Sequence, residues 1–450
     1  MSKSYLGIDI GTSSVKVILI DDEGNTQKTR EEYSEISPCG WFDAIIKALS
    51  SLNFTEKVAI GLSSQVGTYI INEKDVIGWN SPSGAEEVEG IQNRYDKSTF
   101  LKEISMAHPK ITSYPLPRLR HIEKIYGKGA VVCQPKDLIG KMLTGEYRTD
   151  KFSWRGLANI ETGKYSEFFI KEVGNPRLPD IDRHTDKLGY VSAEICKRTG
   201  LPENTPVYIG LNDFFASLLG MGIGSVGDMF DITGTSEHLG VITDNLDENT
   251  NMVSGPFLEN FVHYGVTASS GASLDFGISN FGADRLSLGI ELVENAPIFL
   301  PYINGERAPI FDNNSRGTFF GINSKCNKNH LAYSVLEGVV FSIYHIYENL
   351  GSPYASKLIV SGGAAKSDVL NYLKAELFNI PVTVLAESDT SALGALMIAA
   401  KESGCKTDFV KVRELINPDG KLRELLLKRF QIYKKLYPAL KDTFKELEEM

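Results

Sequence analysis

Six consecutive residues near the start of the chain, Asp9-Ile10-Gly11-Thr12-Ser13-Ser14, bring together the groups that phosphate chemistry needs. Backbone N–H groups in series with two hydroxyls make a concave donor site for a phosphate oxygen, and a carboxylate just upstream can hold the accompanying magnesium. Gly11 permits a sharp turn and a close approach of backbone to ligand. A plain hairpin, with Thr12 and Ser13 only satisfying the turn, would carry the same letters. A second copy favours the phosphate reading. Asp231-Ile232-Thr233-Gly234-Thr235-Ser236 repeats the pattern near mid-chain, so a duplicated fold holding one nucleotide from both sides is expected.

Other candidates are weaker singly. Thr205 to Gly210 reads as a strand entering Leu211-Asn212-Asp213-Phe214. A carboxylate at a strand's C-terminal end can accept a hydroxyl proton, and Asn212 or Asp213 can equally cap the helix that follows. Gln65 closes the apolar run Val58 to Ser63, where open sheets face their ligand crevice, and reads as a pocket residue or a solvated loop. Lys357 to Val360 reads as a strand, and Gly362-Gly363-Ala364 then precedes a helix from Asp368 to Phe378, with backbone N–H groups placed for a phosphate or a flat adenine. Arg118 can meet an anion, but helical spacing from Arg118 to Ile125 favours a solvated face. Glu306-Arg307 reads as a structural ion pair bracing a loop. Gly222-Ile223-Gly224-Ser225-Val226-Gly227 matches a dinucleotide pattern by letter. It follows a helix and leads into a strand, the reverse of the required context, so it is a glycine-rich linker and hinge.

The elements that position these groups follow from periodicity. Tyr5 to Ile10 and Val15 to Ile20 read as antiparallel strands, Asn25 to Glu35 as an edge strand, and Trp41 to Leu49 as a helix. Strand, strand, strand, helix, strand is a layered α/β order. Prolines 82, 109, 115 and 117 interrupt Trp79 to Pro117, which reads as a lid or pocket wall rather than a core. Pro135 to Thr144 is a helix capped by Gly145, Asn329 to Leu350 a long helix, and Leu422 to Leu447 an amphipathic one that Pro438 kinks or splits.

Composition bounds the rest. With 450 residues, 42% hydrophobic and 23% charged, the chain is globular and long enough for two or three domains. A formal charge of −10 excludes a nucleic-acid surface and leaves any anionic ligand to local groups. Five scattered cysteines without paired spacing read as reduced thiols, and no apolar run reaches membrane-spanning length. A soluble, cytoplasmic protein with no nucleic-acid or membrane partner is expected, and a homodimer is compatible with it.

With these residues in place, the chain resembles the FGGY carbohydrate kinases of the actin-like ATPase superfamily, and within them the xylulokinases. The likeness rests on Gly7 to Ser13, Lys136-Asp137 with Leu143 to Glu146, Gly210 to Ala216, and Gly234-Thr235-Ser236. It continues through Leu300-Pro301-Tyr302 with Gly305-Glu306-Arg307, Arg316 to Gly321, Leu336 to Val339, Gly362-Gly363-Ala364 and Ala392-Leu393-Gly394-Ala395. The resemblance implies two actin-like (ribonuclease H-like) α/β domains around a central cleft, residues 1–221 with the sugar pocket and base and 222–450 contributing to the ATP site. It implies ATP and Mg2+ as cofactors and a small sugar or polyol as substrate. Asp9 would place magnesium, Gly11, Thr12 and Ser13 would lie near the transferred phosphate, and Gly234 and Thr235 would meet the phosphates from the other domain. Gly362, Gly363 and Ala364 would line the nucleotide site, and Asp213 would be the general base. The sugar side departs from the pattern. Gln65-Val66-Gly67-Thr68 stands for Gln-Met-His-Gly, Trp79-Asn80-Ser81-Pro82-Ser83 for Trp-Asn-Asp-x-Arg, and Phe214 for an amide side chain after the base. Gln65, Val66, Asp213 and Phe214 are the expected substrate contacts, and the thinned donor set points to a bulkier or less polar substrate than xylulose. A catalytically weak sugar sensor, or a kinase for glycerol, gluconate or a heptulose, is the alternative.

Overall fold

A computed structural model describes residues 2–106, 111–234, 236–248, 250–405 and 408–449. The chain divides into two compact units, Met1–Gly222 with Asp389–Phe409, and Ile223–Ser388 with Val410–Met450. The boundary lies inside the glycine-rich linker. A single cut at 221/222 leaves out residues 389–409, which pack with the first unit.

The first unit begins with β1 (Lys3–Ile10), β2 (Ser14–Asp21), β3 (Thr26–Glu32), α1 (Pro38–Ser50) and β4 (Lys57–Ser64). It continues through α2 (Ala85–Arg94), α3 (Lys97–Ile104), α4 (Pro115–Tyr126), α5 (Pro135–Thr144), β5 (Lys187–Tyr190), β6 (Pro206–Asn212) and α6 (Asp213–Gly220). Its sheet has the order β5-β6-β4-β1-β2-β3, with β1 antiparallel to β2 and parallel to β4. β1 and β4 are buried on both faces, as their near-continuous apolar runs require, whereas charged β3 alternates and takes the edge.

In the second unit β7 (Met229–Thr233), β8 (Glu237–Thr243), β9 (Val253–Phe257) and β10 (Asn260–Val266) precede the long α7 (Lys328–Asn349). β11 (Leu358–Gly362), α8 (Asp368–Phe378) and β12 (Val382–Leu385) follow. α9 (Thr390–Glu402) lies in the first unit, after which β13 (Val412–Ile416) and α10 (Arg423–Glu448) complete the second. The order is β9-β10-β8-β7-β11-β12-β13, with β7 antiparallel to β8 and parallel to β11. This repeats the pairing around β1, so the duplication read from two short turns extends to the whole sheet.

Three expectations change. The region 79–117 is no mere lid: Ile91, Phe100 and Ile104 join Leu116, Leu119, Trp154 and Phe169 in a separate hydrophobic core. Pro115 and Pro117 do not interrupt α4, because they occupy its first turn, where the missing N–H groups have no intrahelical acceptor. Pro438 does not split α10. Burial of Leu426, Phe430, Tyr433, Leu436 and Phe444 holds that helix together across it.

α9 is set into the first unit by glycines rather than by large side chains. A Cβ at Gly7 would fall 1.9 Å from the Ala392 carbonyl oxygen, and one at Gly61 1.8 Å from that of Ala395. On α6 the contact is mutual, with Gly220 against the Thr390 carbonyl and Gly394 against that of Ala216. Gly220, two residues before the glycine-rich linker, is therefore a packing residue. Among the described residues no helix is long and apolar enough to cross a membrane. Gly61→Ala places a methyl group where backbone already stands, so it is expected to lower unfolding free energy by about 1–3 kcal/mol or more, measured by urea denaturation.

Candidate active site

Asp9 lies one residue from the end of β1, in register with Ser63 of β4 and Lys16 of β2. Ser63 Oγ donates to its Oδ1 at 2.9 Å and Ser391 Oγ of α9 to its Oδ2 at 2.7 Å. The carboxyl is 3% exposed. Burial pushes its pKa up, while Ser391, Lys16 and Ser63 favour the ionised form. In the turn that follows, the Gly11 N–H donates to the Ser14 carbonyl at 3.1 Å, and the Gly11 carbonyl accepts from Tyr33 Oη and Gln65 Nε2, both at 3.1 Å. Thr12 and Ser13 are exposed at the tip, and Trp79 Nε1 donates to Thr12 Oγ1 at 3.1 Å. Gln65 is thus buried and braces the Gly11 turn from behind.

The ambiguity at Asp213 is resolved by its neighbour. Asn212 caps α6, its Oδ1 accepting from the Phe215 N–H at 3.0 Å. Asp213 is therefore free of the cap and accepts from the Val66 and Phe214 N–H groups at 3.2 and 2.8 Å. Burial, followed by the negative charge of Asp9, pushes its pKa up to about 7. Gly210 helps to aim it. At φ +74° it sits where β6 loses register with β4, and its missing side chain admits the Leu62 carbonyl. Val66 is 41% exposed beside this carboxyl and Phe214 is half-buried.

In the second unit the structure organises itself around Thr233, which sequence reasoning passed over. Its Oγ1 donates to the Ser361 carbonyl at 2.9 Å and accepts from the Ala364 and Ala365 N–H groups at 3.0 and 3.2 Å. Its carbonyl accepts from the Gly363 N–H at 3.1 Å. The amides expected to meet a phosphate are therefore engaged internally. What remains is a bare surface: Gly362 has φ +96° with its Cβ position filled by Thr233, and nothing lies within 4 Å of the Cβ position of Gly363. Such a face suits a flat ring. The Gly234 N–H donates to the Ser236 carbonyl at 3.0 Å; Thr235 lies outside the described residues.

The two acidic turns differ in charge. Asp231 and Glu237 both contact Lys374, at 2.5 and 2.8 Å, and all three are buried. The second turn's carboxylate is neutralised by protein, whereas Asp9 meets hydroxyl groups and stays a hard oxygen donor for a cation. No group of three metal-ligating His, Cys, Asp or Glu side chains occurs among the described residues. Asp9 fits magnesium, which takes one or two carboxylates and fills its shell with phosphate oxygens and water. The expected Glu306–Arg307 ion pair does not form. Glu306 is buried and accepts from the Ala268 and Arg307 N–H groups and Ser342 Oγ, while the Arg307 guanidinium reaches Ser236 Oγ at 3.4 Å. A recess of about 590 Å³ lined by Ile278, Phe281, Arg285 and Lys328 contains none of these residues.

The FGGY N-terminal domain model matches residues 4–220, and the C-terminal domain model residues 231–403. The chain belongs to the FGGY family of carbohydrate kinases. It is 27% identical to a xylulose kinase of Bacillus subtilis (strain 168), over 98% of both chains. Its structure resembles that of a ligand-bound xylulose kinase from Lactobacillus acidophilus, with TM-score 0.86 and 23% identity over 99% of this chain and 100% of the other. A gluconate kinase from the same organism follows at TM-score 0.85 and 22% identity, with coverage of 99% and 100%. The fold is thus the two-domain actin-like α/β fold. The reaction is ATP-dependent phosphorylation of a hydroxyl on a small sugar or polyol.

Ser63, Ser391, Trp79 and Thr233 are the site residues that spacing did not reveal. Each acts on a partner more than 50 positions away. Thr233→Val keeps the shape and strands two amides. It is expected to raise KM for ATP roughly tenfold, as loss of about 1–3 kcal/mol of buried hydrogen bonding predicts, with KM for the sugar unchanged in steady-state assays.

Proposed function

We propose that the protein is a xylulokinase- or gluconokinase-type enzyme in which Asp213 is the general base. The first unit supplies Asp9, the Gly11-Thr12-Ser13 turn and Asp213. The second supplies Gly234, Thr235 and the Gly362-Gly363-Ala364 face to the nucleotide. The observation that carries this reading is the division of labour between Asn212 and Asp213: the asparagine caps the helix, leaving the aspartate facing Val66 with its pKa raised to about 7.

In the reaction the substrate hydroxyl oxygen bonds to the γ-phosphorus of ATP and the bond from that phosphorus to the β,γ-bridging oxygen breaks. ADP leaves, and the hydroxyl proton passes to an Asp213 carboxylate oxygen. The Val66 and Phe214 N–H groups hold that carboxylate in place. Thr12, Ser13 and the turn backbone orient the transferred phosphoryl group. Magnesium, held at Asp9, would neutralise charge on the phosphates.

Asp213→Asn preserves size and should leave folding and ATP affinity intact while lowering kcat by roughly 10²- to 10⁴-fold. An ATP-coupled assay over ketoses, polyols and sugar acids measures it, and near-normal turnover by the variant would remove Asp213 from the mechanism. A base works only when ionised. With the Asp213 pKa raised to about 7 by burial, kcat/KM should fall as pH drops through 7 and level off above it.

A further inference from the structure

The sequence places Arg118 on a solvated helix face, and the structure contradicts this. Its side chain is 0% exposed. Nη2 donates to the Ser81 carbonyl at 3.3 Å, while Nε and Nη1 have no hydrogen-bond partner, and no carboxylate pairs with it among the described residues. Other cations here are treated differently. Arg120 and Lys124, on the same helix, face Glu87, and buried Lys136, Lys374 and Arg429 each face at least one carboxylate. A buried guanidinium without a counter-charge is costly, by several kcal/mol in typical interiors. Burial accordingly lowers its pKa, with only Tyr69 opposing.

Its surroundings lie on the sugar side of the first unit. The turn from Gly78 to Gly84 rests on α4, through Ser81 on Arg118 and through Gly84, at φ +90°, against the Pro117 carbonyl. The same turn carries Trp79, which bonds to Thr12 Oγ1 through its ring and to Thr68 Oγ1 through its backbone. Gly67, beside the Val66 that holds Asp213, packs on Ser113 just before α4. One short polar turn therefore separates the uncompensated cation from the residues at the phosphate turn and the base.

We propose that Arg118 is the counter-charge for an anionic substrate: the enzyme phosphorylates an open-chain sugar acid, whose carboxylate takes the Nε and Nη1 donors when the Gly78–Gly84 turn shifts. This rests on the kinase reading and names its substrate class. It reverses the expectation of a less polar substrate, which counted the donors lost at Val66 and Gly67 and missed the one hidden under Ser81. Charge-assisted hydrogen bonds supply the selectivity.

D-gluconate and D-glucitol share a six-carbon chain and differ in the carboxylate, so they are the probes, with D-xylulose as the ketose control. The wild type is expected to favour gluconate in kcat/KM by about ten- to a hundredfold. Arg118→Met should remove that preference through KM for gluconate, with KM for glucitol and xylulose unchanged. Should that variant not fold, Ser81→Asp keeps the arginine and offers it an internal carboxylate; it should raise the melting temperature and lose the same preference. Equal or better use of glucitol or xylulose by the wild type, or retained gluconate preference in Ser81→Asp, overturns the proposal. Calorimetry without ATP separates the two levels. Gluconate binding that Ser81→Asp abolishes, in a protein that turns over no substrate, would uphold the arginine site and defeat the kinase reading; no gluconate binding by the wild type would defeat the arginine site alone.

Discussion

Where α9 packs, the first unit has four glycines with no room for a methyl group. Gly7 and Gly61 let α9 lie with its backbone carbonyls directly on the central strands, and Gly220 and Gly394 let it press against α6. This contact, made of backbone rather than bulk, sets where Ser391 stands, and Ser391 is one of two hydroxyls that hold Asp9. The same helix supports α6, whose first residue is Asp213. Both carboxylates of the candidate site thus depend on a segment that returns to the first unit from late in the chain. Tight packing of this kind has few alternative arrangements, so the two acids are held in a fixed relation before any ligand arrives.

A second constraint is the handling of buried charge. Lys374 between Asp231 and Glu237, Lys136 between Asp137 and Asp150, and Arg429 on Glu337 are compensated inside the protein and serve as framework. Asp9, Asp213 and Arg118 are buried or half-buried with hydrogen bonds, and among the described residues none of them forms an ion pair. In the proposed mechanism and substrate reading, these are the groups whose charge a ligand completes. The two sheets handle their acids differently: Asp9, two residues before Gly11 and beside Ser63, meets hydroxyl groups, whereas Asp231, three residues before Gly234 and beside Val360, meets Lys374.

Much of the fold was legible because it depends on local pattern. The repeat of a Gly-Thr-Ser turn after an Asp-Ile pair announced the paired sheets, and the ends of α5, α7 and α8 followed from a glycine cap and apolar periodicity. The Gly11 and Gly234 turns and a helix cap at the Asn212-Asp213 pair were legible too. The errors share a cause. Arg118 lies on a charged, amphipathic-looking stretch, and only the α2–α4 core around it shows that its face is covered. Glu306 and Arg307 are neighbours in sequence, but their side chains part, one to Ser342 and the other to Ser236.

By itself the sequence determined the α/β class, the duplicated hairpin turn and the kinase family, because turn chemistry, periodicity and motif order are properties of neighbouring residues. Tertiary structure alone decided which acid is capped or neutralised and which is free. It also decided that the Gly363 to Ala365 amides are engaged by Thr233 and that Arg118 is buried without a counter-charge. Those outcomes depend on desolvation and on partners brought together from distant positions, and neither is written in local spacing.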